Sequence, residues 1–245
     1  MAHPLLRPRW VVLHVIVAIA VPLFVVAGFW QLHRLDERRT KNAQIREREI
    51  EPARPLDDVL AERDPAHRRV RVKGLYVTGD EVVLIGRPGN GGVDGSHVLT
   101  PLRTQDSAVL VDRGWVPPGM EHPPIREASP PDERVTVTGV LLPTEGRAAL
   151  APRTEHQDIV DRIDVARIAG GSRHPFITSA YYVLLSAQQP EAGALPKPVA
   201  PAPLSEGPHL GYAIQWFLFV PTLLAVYVVL LRQQVRPRGG VGGRA

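Results

Sequence analysis

Four residues late in the chain have the types and spacing for chemistry. His209, Tyr212, Ala213 and Trp216 stand at i, i+3, i+4 and i+7, so on a helix they share a face carrying an imidazole and two aromatic rings. The chain has no cysteine, which excludes disulfides, thiolate metal sites and thiol catalysis. Imidazole is then the natural ligand for haem iron or another transition metal, which makes His209 the candidate. The same side chains also suit a plainer role, a polar anchor at a helix end with Tyr212 and Trp216 in the aromatic belt of a membrane interface. Spacing does not separate the two.

Elsewhere a catalytic centre is hard to assemble. HExxH and G-x-S-x-G are absent, and Ser96-His97 and Ser172 near His174 are sequence neighbours, which says nothing of a triad. His67, His97, His122, His156 and His174 lack metal-ligand spacing and read mostly as surface residues. Arg87 to Gly95, RPGNGGVDG, resembles a phosphate loop, but no GK[ST] and no helix follows it. Asp112 and Arg113 at a strand end read as a structural ion pair. These absences point away from an enzyme. The net charge of +4 comes from scattered bases, a solvated surface and no nucleic-acid partner.

The elements that must position His209 are two apolar runs. His209 to Leu231 holds no acid or base after its first residue, and Trp10 to Trp30 is apolar except for His14. Each is long enough at 1.5 Å per residue to cross a hydrocarbon core of about 30 Å. The first lacks an A-x-A-like cleavage site and reads as a retained anchor. Arg232, Arg236, Arg238 and Arg244 follow the second run, whereas Lys197 is the one base in the twenty residues before it, so the C-terminus is cytoplasmic. With two spans the N-terminus is cytoplasmic too, as Arg7 and Arg9 suggest. Arg34, Arg38, Arg39, Lys41, Arg46 and Arg48 pull the other way, but a long domain translocates largely regardless of charge. Only three of the 29 basic residues are lysine, a bias of GC-rich bacterial genomes, which places the protein in a bacterial cell membrane. Two antiparallel spans put Trp30 and His33 at the depth of His209, and His14 roughly 20 Å or more away. If two histidines share one haem, His33 is the better partner.

The chain thus divides into a cytoplasmic N-terminus (1–9), a first transmembrane helix (10–30), a helical extension holding the soluble domain off the bilayer (31–52), an extracytoplasmic domain (53–189), a Pro/Ala-rich linker (190–208), a second transmembrane helix (209–231) and a basic cytoplasmic tail (232–245). Within the domain, Arg68 to Thr78 and Glu81 to Arg87 read as a hairpin, and Ser96 to Thr104 pairs with Ser107 to Pro118 around Gln105 and Asp106. Glu133 to Pro143 is a strand with a bulge at Gly139, Ile159 onward a short helix ending at Gly170-Gly171, and Ala180 to Ser186 the last strand. The fold class is a membrane protein in which two transmembrane α-helices flank one antiparallel, β-rich α+β domain of about six strands and one or two short helices.

GFWQLHRLDERRTKNAQI, VKGLY, GSHVLTPL, VLVDRGWVPP and HLGYAIQWF occur in that order, and from Gly28 to Phe217 the chain resembles the surfeit locus protein 1 family of cytochrome c oxidase assembly factors. The resemblance implies a non-enzymatic respiratory-chain role, delivery or insertion of haem a into the oxidase catalytic subunit. It implies His209 as the haem ligand, with Tyr212 and Trp216 in the neighbouring pattern. Gly28, Trp30, Gln31 and Arg34 match the motif at the first span, and Arg113, Gly114 and Trp115 that of the soluble domain. Where the family often has Asn ahead of the histidine, this chain has Gly207-Pro208, which changes what can hydrogen-bond to the imidazole. The alternative is a haem-free scaffold that clamps an oxidase subunit or haem a synthase. The two differ at His209.

Overall fold

The computed structural model describes residues 7–146 and 158–235. His156, the first six residues of the expected N-terminal segment, and 236–245 of the basic tail lie outside them. The chain forms two compact units, one from the chain up to Ala43 and from Leu204 onward, the other from Gln44 to Pro203.

The first unit is a helix pair. Helix α1 runs Pro8–Ile50, without a break at Pro22, and α4 runs His209–Val235, through Pro221. Both are long and apolar enough to cross a membrane. They lie antiparallel: His14 meets Tyr227, Phe24 meets Trp216, and Gln31 meets His209. The seam has a seven-residue period. Trp10, Val17, Phe24 and Gln31 are buried or half-buried on α1, with His14, Val21, Gly28 and Leu35 beside them. On α4 the matching positions are His209, Trp216 and Leu223, flanked by Ala213, Val220 and Tyr227. This is coiled-coil spacing. It places small residues where the helices come closest, and a Cβ on Gly28 would sit 2.6 Å from the Phe217 ring. Tyr227 pins the far end, its hydroxyl 2.7 Å from His14 Nδ1.

The second unit is a barrel with additions. Strands β2 (Arg69–Tyr76), β4 (Ser96–Arg103), β5 (Ala108–Val116), β6 (Val135–Pro143) and β8 (Tyr181–Gln189) close in the order β2-β6-β8-β5-β4, with β4 pairing back onto β2. Closure removes the free edges that an open sheet would expose. The interior is filled by alternate residues of all five strands, including Val70, Val72, Leu102, Val109, Val111, Val137 and Val183. Short β1 (Arg54–Pro55), β3 (Val82–Leu84) and β7 (Ile159–Val160) extend the sheet, α2 (Leu56–Leu60) adds Leu56 and Val59 to the barrel core, and α3 (Val165–Gly171) packs outside it against Leu84, Leu110 and Leu184. Strand period is visible here: Val109 and Val111 face one core, Leu110 the other.

Several expectations need correction. The expected β2–β3 hairpin is not formed: each pairs with β4 instead, because the turn at Thr78–Asp80 carries the chain on along the same edge of β4, with Leu75 and Tyr76 opposite Arg103 and Leu102 and Val82–Leu84 opposite Leu99, Val98 and His97. The sheet is not purely antiparallel, since β5–β8, β1–β2 and β3–β7 are parallel. Ile159 opens a strand, and the helix starts at Val165, where Asp164 caps the Arg167 amide. The expected linker is not free up to Pro203: Lys197 exchanges both backbone hydrogen bonds with Trp115, at 2.8 and 2.9 Å. The β4–β5 pairing and the register shift at Gly139 agree with the expectation.

Gly139 packs its α-carbon against β8, where a Cβ would sit 2.7 Å from Val183 Cγ1 and closer still to the Leu184 carbonyl. Gly139→Ala should therefore cost about 1–3 kcal/mol. Gly170→Ala, with nothing within 4 Å of its Cβ in α3, should be neutral or stabilising by up to about 1 kcal/mol. Thermal unfolding of the two variants beside wild type checks the contrast.

Candidate functional site

In the helix pair, the first turn of α4 points His209 at α1. Its Nδ1 lies 2.9 Å from Gln31 Oε1. An amide oxygen accepts only, so Nδ1 carries the proton and the lone pair falls on Nε2. Nε2 has no hydrogen-bond partner among the described residues. Gly207, at φ +72°, leaves this edge open, since a Cβ there would stand 3.4 Å from Nε2. Two turns along, Trp216 joins Phe24 and Phe219 in a cluster with ring centroids 5.5 to 5.6 Å apart.

The other expected residues are placed differently. Tyr212 lies beside the seam and is 48% exposed, and Trp30 is 56% exposed. His33 is two residues from Gln31 and so on the opposite side of α1. Its Nε2 lies 3.3 Å from Glu37, which Arg34 also engages at 2.7 Å. Gln31, not His33, faces His209. Phe24, Phe217 and Phe219 were not singled out from sequence, because in a uniformly apolar run nothing distinguishes seam from lipid face.

In the second unit, the Arg113-Gly114-Trp115 motif is structural in its contacts. Arg113 is fully buried. Its Nη1 donates to Glu81 at 3.3 Å, its Nη2 to the Ala128 carbonyl at 2.5 Å, and its guanidinium stacks over the Tyr76 ring at 5.1 Å. Burial pushes the Glu81 carboxyl up, against the Ile125 amide, Arg113 and Thr100, which hold it down; burial likewise pulls Arg113 down from its ordinary value. Gly114, at φ +118°, has the Lys197 carbonyl where a Cβ would go, and Trp115 lies against Gly89 and Gly95 under the Lys197 ammonium. The motif thus fastens β5 to the segment that leads to α4.

Asp112 and Arg113 are not a pair, since successive strand residues face opposite ways. Asp112 bonds His97 Nδ1 at 2.9 Å. His97 is 7% exposed, not a surface residue. Burial pulls its pKa down, but the hydrogen bond and charge of Asp112 outweigh this, and the net direction is up. No local pattern in GSHVLTPL marks His97 as inward, since the strand is buried on both faces from Ser96 to Leu102. Among the described residues no three His, Asp or Glu side chains cluster as a metal site.

Along the chain, two helices long and apolar enough to cross a membrane flank a β-barrel domain, and one of them directs an imidazole at the other. The chain belongs to the SURF1 family, whose model matches residues 18–220. It is 32% identical to an uncharacterized SURF1-like protein of Mycobacterium tuberculosis, over 88% of this chain and 80% of that one. It is 26% identical to a SURF1-like protein of Rickettsia bellii, over 91% and 92%, and 28% identical to one of Monosiga brevicollis, over 84% and 82%. The family is known as one of oxidase assembly factors and is not an enzyme class.

Glu81→Gln should cost about 3 kcal/mol, because it strands a buried guanidinium. Combining Glu81→Leu with Arg113→Met removes both charges together and should recover most of that loss in thermal unfolding. The raised His97 pKa stabilises the fold below about pH 6.5, the unfolded histidine value, and that contribution is lost as pH rises through the higher folded value. His97→Gln should remove the fall in melting temperature that wild type shows as pH rises above about 6.5, the unfolded histidine value.

Proposed function

We propose that this chain is a two-span assembly factor for haem-copper cytochrome c oxidase that holds haem a on His209 and passes it to the catalytic subunit. The observation that carries this is the His209–Gln31 hydrogen bond of 2.9 Å. It fixes the imidazole with Nδ1 protonated and Nε2 bare, the arrangement that haem and metal ligation use. The residues fit the group on two further counts. Gly207 withholds a Cβ from the ligating edge, and Tyr212 offers an exposed aromatic ring one turn away, where an apolar macrocycle needs a wall.

The hold is built to be released. His33 is turned to Glu37 and His14 is engaged by Tyr227 at the far end of the seam, so among the described histidines of the helix pair His209 is the one left to ligate iron. A single ligand backed by one amide gives an exchangeable complex, which suits cargo in transit. Haem a, when bound, supplies the iron that His209 ligates; the chain supplies orientation. On this reading haem a synthase stands upstream and the oxidase catalytic subunit downstream. The arginine-rich tail puts both termini in the cytoplasm of a bacterial cell and the barrel domain outside.

The test is an absorption spectrum of the detergent-purified full chain, co-expressed with a haem a pathway. Wild type should carry a haem a spectrum that His209→Ala loses or shifts. Gln31→Leu should weaken haem affinity about 10–100-fold without unfolding the protein. Identical haem binding by His209→Ala, or a well-folded colourless wild type, would overturn the carrier role in favour of a haem-free scaffold.

A further inference from the structure

The barrel domain carries a cleft of about 640 Å³, within the range of small-molecule sites, and none of the residues of the helix pair takes part in it. Its walls are apolar: Leu84, Leu142, Ile163 and Leu184. One rim is the glycine loop at Pro88–Gly92, the other the chain at Val199–Pro203. Asn90 clasps the two, donating to the Pro198 carbonyl at 3.0 Å and accepting from the Ala200 amide at 3.1 Å.

The charged groups that line the cleft are already neutralised. Asp112 holds His97 at 2.9 Å and the Gly114 amide at 3.0 Å. Arg87 is paired with Glu145, which also accepts the Ile163 amide at 3.1 Å. A free anion would meet Asp112 and Glu145 with no uncommitted cation, and a free cation would find no uncommitted carboxylate. One polar group is uncommitted. Tyr182 lines the cleft and is 7% exposed as a residue, and its hydroxyl, open to the cleft, makes no hydrogen bond to any described residue. Burial, with the charges of Asp112 and Glu145, pushes this phenol well above its ordinary value, so it is a neutral donor wanting an acceptor. His97 also lines the cleft, with its Nε2 3.3 Å from the Pro88 carbonyl.

We infer that the cleft binds an uncharged, mainly apolar small molecule that presents a carbonyl oxygen to the Tyr182 hydroxyl. A carbonyl seated in the cleft accepts from this hydroxyl, which is otherwise left to solvent, and the leucine and proline walls take the rest of the molecule. Two sources share this chemistry, a quinone ring with an alkyl tail and a lipid ester. The proposal does not depend on haem, since His209 is not among the lining residues.

The experiment measures binding to the full chain in lipid nanodiscs as the excess over empty nanodiscs of the same lipid. The probes are a decyl-substituted benzoquinone, the decanoyl monoester of glycerol, and decanoate. Wild type should bind one of the carbonyl probes, which names the source, at least about tenfold more tightly than the decanoate anion. Tyr182→Phe should lose about tenfold in that affinity at unchanged melting temperature. Ala200→Trp, on the exposed rim, should block the carbonyl probe by filling the mouth. Failure of both carbonyl probes to bind wild type, equal binding of decanoate, or an undiminished affinity in Tyr182→Phe would overturn the assignment.

Discussion

The direction of one imidazole depends on how closely two helices approach. Interhelical packing in a bilayer gains little from the hydrophobic effect, because lipid tails are as apolar as leucine. It rests instead on small residues and directed polar contacts. Gly28 supplies the first, letting the Phe217 ring lie where any side chain would stand. Gln31 and His209 supply the second at one end, and His14 and Tyr227 at the other. The seven-residue spacing of the seam links them: Gln31 is three residues beyond Gly28, so the contact that sets the distance also sets the reach of the amide. A larger residue at 28 would move His209 out of register without touching it.

The barrel unit solves a different problem, anchoring an extended segment to a closed sheet. Gly114 does this by having no Cβ, which lets Lys197 pair with Trp115 as an added strand residue. Beneath it the buried Arg113 ties β5 to Glu81 and to the Ala128 carbonyl. Replacing such a group by an apolar side chain of similar size is often neutral, whereas removing one partner is costly. The motif that looks most like chemistry in the sequence is therefore, in its contacts, a fastening of the domain.

Much of this was legible because composition and period speak for themselves. Two long apolar runs announced the helices, and the β4–β5 pairing followed from alternating valines around Gln105-Asp106. Gly139 marked its bulge. What stayed hidden was long-range pairing: β2 and β3 are sequence neighbours with a good turn between them, and only closure of the barrel sends both to β4. The site was half visible. The spacing of His209, Ala213 and Trp216 gave a face, but Tyr212 falls beside it, and depth alone favoured His33, which helical rotation turns away from Gln31. The inward His97 and the uncommitted Tyr182 give no local sign, since their burial comes from strands far apart in the chain.

The central claim is that Gln31 holds His209 with its proton on Nδ1 and its lone pair on Nε2. It is tested most directly by the ¹⁵N NMR spectrum of the full chain, labelled at histidine and free of haem at neutral pH, with His209 assigned by its loss in His209→Ala. The account predicts an Nδ1-protonated neutral ring for His209, reverting toward the ordinary tautomer mixture in Gln31→Leu. An Nε2-protonated ring in wild type, unchanged by Gln31→Leu, would contradict it.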